Sequence, residues 1–127
     1  MIRAAVFCAR LWLATAILVG VSFAGEPPTA TNVEITYLLS AVRTSGCQFY
    51  RNGTWYGSGE AASHLGRKYQ YLLDRGLVSS PEAFIEKAAS ESSLSGQAYQ
   101  VKCGSGPAVK SADWLRAELE KYRRQSH

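Results

Sequence analysis

Apolar residues fall along this chain in distinct kinds of run. From Leu11 to Val21 they are mostly apolar and helix-like, and after Ile35 they recur at helical spacing. Between Cys47 and Tyr56 aromatic residues dominate and surround a tight turn signal. Thr31-x-x-Glu34 reads as a capping box, followed by Ile35, Leu38, Leu39 and Val42, with Gly46 as the stop; this predicts a helix over 32–44. Cys47–Arg51 and Thr54–Tyr56 then flank Asn52-Gly53, the preferred type I′ pair, which predicts a hairpin. Ser58 with Glu60 is expected to cap a helix reaching about Asp74 and closed by Gly76. Its apolar side carries Ala61, Ala62, Leu65, Tyr69, Leu72 and Leu73. Ser80-Pro81-Glu82 opens a third helix with Phe84, Ile85, Ala88 and Ala89 as its stripe.

A serine-rich loop, Ser90 to Gly96, leads to a strand from Ala98 to Cys103. After a Gly/Pro connection, Ser111 is read as the cap of a last helix bearing Trp114, Leu115, Leu119 and Tyr122. The order α-β-β-α-α-β-α predicts one α+β domain over residues 32–124. Its sheet has three antiparallel strands, the hairpin plus one, packed with four helices. Gly25 to Thr31, with Pro27-Pro28, reads as a flexible stretch ahead of it.

The first apolar run has the build of a secretory leader. Arg3 and Arg10 precede it, it is short for a membrane span, and Ser22-Phe23-Ala24 offers a small-x-small cleavage pattern. Cleavage after residue 24 changes the rest of the reading. Cys8 leaves with the leader and does not sit where a lipoprotein cysteine would, so a soluble mature chain is expected. Cys47 and Cys103 remain, in a compartment where thiols oxidise, and they allow one bond. A loop of that length is stabilised by roughly 4 kcal/mol in the chain-entropy model. That bond would make the first hairpin strand and the final strand neighbours. The rival is a reactive thiol, but neither cysteine has neighbours built to lower its pKa.

Charge shifts as well. Of the 14 Lys and Arg residues two lie in the leader, leaving 12 against 10 acids, a net +2 rather than +4. The remaining cations are scattered, apart from a C-terminal group at Lys121, Arg123 and Arg124 that suits a helix end. A nucleic-acid partner is therefore not expected.

The segments Ser45-Gly46-Cys47-x-Phe49-x-Arg51-Asn52-Gly53 and Ala61-x-x-His64-Leu65-x-x-Lys68-Tyr69 stand together with several others. These are Phe84-Ile85, Ala89-Ser90-x-Ser92-Ser93-x-Ser95-Gly96-x-x-Tyr99, Val101-x-Cys103 and Asp113-Trp114-Leu115. In this combination, from about Val33 to Arg124, the chain resembles the YfeK-like family, small bacterial proteins with a signal peptide and a domain of unknown function. The resemblance implies a bacterial envelope setting, the periplasm above all, and no particular reaction.

Candidate chemistry is sparse. Ser90, Ser92, Ser93 and Ser95 place four hydroxyls in one short loop, suited either to a polar ligand or to capping turn backbone. His64 is the one histidine inside the fold, with Glu60 and Lys68 at i−4 and i+4 on one helix face. As a general base it would serve a loop serine or Cys47; as a structural residue it would join helix to hairpin. Arg51 at the turn offers a planar fork for a carboxylate or phosphate, or pairs with an acid. Aromatics are many; Phe49, Phe84 and Trp114 suit the core, whereas Tyr50, Trp55 and Tyr56 suit a partner surface as well as a buried one.

One interior histidine falls short of the ligands zinc needs, and no cofactor signature is present. The expectation is a periplasmic binding or accessory module for an envelope protein or small polar ligand, without stable membrane insertion. Arg51, His64, Ser90, Ser92, Ser93, Ser95 and Tyr99 are its candidate ligand-binding residues. Two alternatives stand beside it: a small hydrolase or transferase using a Ser90–Ser95 serine with His64, and a purely structural envelope component.

Overall fold

The computed structural model describes Gly20 and residues 29–127. The leader read over 1–24 and the stretch 25–28 lie outside the described residues, Gly20 apart. The elements run α1 (Thr29–Thr44), β1 (Gln48–Arg51), β2 (Thr54–Gly57), α2 (Ser58–Asp74), α3 (Pro81–Ala88), β3 (Gln100–Lys102), β4 (Val109–Lys110) and α4 (Ser111–Gln125).

The α+β class and the four helices agree with the sequence reading, and the sheet is larger than read. It has four antiparallel strands in the order β2-β1-β3-β4, not three. The added strand is two residues long and follows a Gly/Pro connection, too short to show any alternation of its own. The strand read over 98–103 contracts to Gln100–Lys102. Ala98 instead pairs with Glu91 as an isolated bridge that closes the serine loop at its base.

Two helix starts also differ from the sequence reading. α1 begins at Thr29, so Thr31 and Glu34 lie within the helix rather than at its cap, and Thr31 is buried rather than part of a flexible lead-in. Ser58 and Ser111 are the first helical residues of α2 and α4. The capping positions are Gly57 and Lys110, and neither helix has a side-chain cap bond. Ser80 caps α3 as expected, accepting from the Ala83 amide at 3.0 Å.

Turn chemistry held where backbone sterics dictate it. Asn52 and Gly53 have φ of 49° and 86°, as a type I′ turn requires. At the end of α2 the amide of Gly76 donates to Leu73 and that of Leu77 to Leu72, a Schellman motif built on a glycine with φ of 65°.

α2 packs on the β1–β2 side of the sheet and α4 on the β3–β4 side, while α1 and α3 each touch all the other helices. The core therefore lies between helices and sheet. Ile35, Leu38 and Val42 of α1 have no exposed surface, and Phe84, Ile85, Leu115 and Val101 join them. Trp114 is half-buried, edge-on to Phe49 at 5.9 Å between ring centroids. α4 is tied across the bundle by polar contacts too. Tyr37 donates to Glu118 and packs on Tyr122, and Arg123 pairs with Glu34 of α1 and Glu82 of α3.

Cys47 and Cys103 are bonded, with Cα atoms 4.4 Å apart. The β1–β3 register pairs Gln48 with Lys102, Phe49 with Val101 and Tyr50 with Gln100. One step beyond either end sets Cys47 opposite Cys103 and Arg51 opposite Tyr99. In an antiparallel pair, opposed residues share a face, so Arg51 and Tyr99 lie on the face that buries Phe49 and Val101.

Replacing both cysteines by alanine is expected to lower the unfolding free energy by about 4 kcal/mol, read by urea unfolding with the slope fitted for each protein, since the uncrosslinked unfolded chain exposes more surface and steepens it. A loss below about 1 kcal/mol would mean that packing alone holds β1 against β3.

Candidate functional site

The far end of the β1–β3 ladder opens onto α2. There Arg51, His64 and Tyr99 come together, from a strand end, a helix and the residue before a strand. The Arg51 guanidinium donates to His64 Nδ1 at 2.8 Å, and the same nitrogen lies 3.3 Å from Nε2. Its other arm donates to the Tyr56 hydroxyl at 3.4 Å, with the cation over the Tyr56 ring. With Nδ1 accepting from an arginine, which always carries its protons, the neutral ring bears its proton on Nε2, 3.3 Å from the Tyr99 oxygen. Lys68, one turn further along α2, donates to the same oxygen at 3.3 Å and to the Glu91 carbonyl at 3.4 Å.

Tyr99 thus accepts from two donors, which uses both lone pairs of its oxygen and leaves its own O–H free to donate. The residue is buried, and burial raises its phenol above the usual range, Arg51 pulling the other way.

Two clefts flank this cluster and share Arg51, His64, Arg67 and Tyr99 as their common wall. The first, about 420 Å³, runs inward over Phe49, Leu65, Ala89 and Leu115, with Arg43 and Glu60 also on its wall. The second, about 400 Å³, is lined by Lys68, Asn52, Tyr71, Ser92, Ser93 and Leu94. Among the described residues no carboxylate forms an ion pair with Arg43, Arg51, Arg67 or Lys68; the four ion pairs lie elsewhere.

The electrostatic consequence falls on the groups that can shed a proton. Burial first, then Arg51, Lys68 and Arg67, push the His64 pKa down to about 4. Burial and then Arg51 also push Lys68 below the usual range, with Glu91 pulling the other way.

The serines serve the loop more than the cleft. Ser90 Oγ donates to the Ile85 carbonyl at 2.9 Å. Ser92, buried, accepts from the amides of Leu94 and Ser95, closing a turn. Ser95 Oγ donates to Asn52 Oδ1 and so fastens the loop to the hairpin tip. Ser92 and Ser93 reach the second cleft, whereas Ser90 and Ser95 belong to neither. Cys47 and Cys103 form the disulfide and carry no free thiol.

For general-base chemistry the arrangement is poor. One nitrogen of His64 faces a guanidinium, the other carries the proton, and a ring with so low a pKa is a weak base at neutral pH. For holding an anion it is well equipped, since the guanidiniums, the ammonium and the free phenol proton are all donors.

Arg43, Arg67 and Ser111 had not been singled out as site residues. Arg67 follows His64 at i+3, so the helical stripe of Glu60, His64 and Lys68 carried a signal for it. Ser111 gave none, because a serine at a helix start reads as a cap. Among the described residues no group of three or more His, Cys, Asp or Glu side chains is placed to hold a metal ion. No described helix is long and apolar enough to cross a membrane.

Folded His64 binds its proton only near pH 4, whereas the unfolded ring binds it near 6.5. Stability from this group is therefore complete above pH 6.5 and lost as pH falls from 6.5 to 4. Solvent screening of the half-exposed ring limits the loss to about 1–2 kcal/mol. The native imidazole resonance should titrate near 4 and the urea-unfolded one near 6.5; a native midpoint near 6.5 would contradict the cluster's field.

Neither a curated protein nor a solved structure matches the chain. One family model does, described as a family of unknown function, over residues 29–123, which contains every element from α1 to β4, α4 as far as Arg123, and every residue of both clefts. The comparison carries the unknown-function domain expected from the sequence and goes no further, either to the YfeK-like family or to the periplasm. By that match the chain belongs to the DUF5329 family of unknown function.

Proposed function

We propose that this protein is a periplasmic binding module that takes a small anion at the wall shared by its two clefts. The observation carrying this reading is a group of cations that form no ion pair among the described residues, although Glu60 lies on the wall of the first cleft. Arg51 and Arg67 with the Tyr99 hydroxyl face both clefts, Arg43 and Lys68 stand at the sides, and none is paired with a carboxylate. Like charges held this close repel, and an anion among them relieves the repulsion while accepting hydrogen bonds from planar guanidiniums.

The periplasmic setting rests on the leader read over residues 1–24, the disulfide, and the resemblance to the YfeK-like family. An accessory role in the cell envelope fits the same setting, with an envelope protein's acidic side chain as the anion. The hydrolase or transferase alternative asks His64 to accept a serine proton, and its two ring nitrogens are already engaged.

Inorganic phosphate is a suitable first probe, titrated by calorimetry and by the His64 imidazole resonance. Bound phosphate offsets the neighbouring cations, so the His64 pKa should rise from about 4, and by linkage phosphate, a monoanion below about pH 6, should bind more tightly as pH falls from about 6 toward 4. Arg51→Gln should weaken binding by about 10- to 100-fold. Arg116→Gln, the same change of charge outside both clefts, should leave it within about twofold. Equal losses in the two variants would reduce the effect to net charge and end the reading.

A further inference from the structure

The first cleft holds a feature that anion binding alone does not use. Ser111 is 4% exposed, lies on the wall of that cleft, and its hydroxyl has no hydrogen-bond partner among the described residues. Its position is firm. The Ser111 amide donates to the Tyr99 carbonyl at 2.9 Å, and the residue opens α4 without capping it. Leaving a buried hydroxyl unpaired costs about 1–3 kcal/mol, and such groups in folded proteins are rarely left so. The same cleft is lined by the apolar side chains of Phe49, Leu65, Ala89 and Leu115.

Resting on the anion-binding reading, we infer that the ligand is an amphipathic organic anion. Its acid group sits at Arg51 and Arg67, its aliphatic or aryl body fills the first cleft, and a hydroxyl or carbonyl at its far end bonds Ser111. A volume of about 420 Å³ suits a body of that kind. The second cleft shares the cationic wall, but its one aliphatic residue, Leu94, is 93% exposed, whereas Phe49 and Leu115 in the first are buried. An apolar body is desolvated more fully in the first. The anionic end alone would be served by either cleft; the apolar lining and the orphan hydroxyl select one.

The test is calorimetry on the chain from Gly25 to His127 with straight-chain carboxylates from acetate to decanoate, their ω-hydroxy acids, the matching neutral alkanols, and inorganic phosphate. Affinity should rise about three- to fourfold per added methylene until the cleft is full. At one chain length the ω-hydroxy acid should exceed the plain acid, and Ser111→Ala should remove that excess, a loss of about tenfold, while leaving the plain acids unchanged. Because Ser111 has no partner to lose, the variant's melting temperature should not fall. Magnetisation transfer between the probe's methylenes and the Phe49 ring checks the location independently of any variant.

Phosphate and acetate binding with no gain along the chain series would overturn the inference and leave the anion site standing. Alkanols binding as tightly as the acids, with phosphate and acetate inert, would overturn both the inference and the anion site. An excess of the ω-hydroxy acids over the plain acids that Ser111→Ala does not touch at any length, or no such excess, would overturn the assignment of the far end.

Discussion

The register between β1 and β3 is the constraint on which the site depends. A strand slipped by one residue turns every side chain to the opposite face. Here a slip of β1 would expose Phe49 and send Arg51 away from α2, parting it from Tyr99. The ladder between these strands is only three residue pairs long, and short pairings are weakly specified by hydrogen bonds alone. The covalent rung at Cys47–Cys103 removes the choice. It sits at one end of the ladder and the Arg51–Tyr99 pair at the other, so a bond outside both clefts sets which residues meet inside them.

Above that frame, the cluster is arranged so that cations crowd without neutralising partners, and the protein bears the cost by keeping His64 uncharged. The imidazole then works as a neutral bridge. It accepts from Arg51 and donates toward Tyr99, passing orientation from the hairpin through α2 to the start of β3. Lys68 completes the bridge, and the phenol proton of Tyr99 is left facing the clefts. The polar network at the opposite end of the bundle is of another kind. Arg123 lies between Glu34 and Glu82 and is matched by them, and hydrogen bonding to Arg123 holds the Glu82 carboxyl below its usual range. One network pairs its cation with acids and joins three helices; the other, beside two clefts, leaves its cations without ion pairs among the described residues.

The helices were legible because apolar spacing and glycine stops act locally. Ile35, Leu38 and Val42 announce a buried stripe whatever covers it, and Asn52-Gly53 leaves the backbone few alternatives. β4 was hidden because two residues have no period, and it exists only as the partner of β3. Caps misled for a related reason. Ser58 and Ser111 carry the right side chain one position late, and only the geometry of the preceding residue decides which of the two caps. At the site, Arg51, His64 and Tyr99 were nameable as residue types with unexplained polarity, while their meeting depends on the sheet register and on how α2 crosses it. The serine loop drew attention by composition, yet three of its four hydroxyls are spent on the loop and its anchor at Asn52. Ser111 was visible only as a helix start, although its burial gives it the greater interest.

The disulfide-closed segment from Cys47 to Cys103 contains β1, β2, α2, α3 and β3, and leaves α1 and α4 outside it. These two outer helices lie at opposite ends of the chain and pack on each other. The fold is therefore completed by α4, which is made after every other element of it. Until α4 arrives, α1 presents part of its apolar stripe to solvent, and long-range closures of this kind are slow to form. In synthesis from the N-terminus, such timing makes the interval before α4 emerges the period of greatest exposure to aggregation and proteolysis.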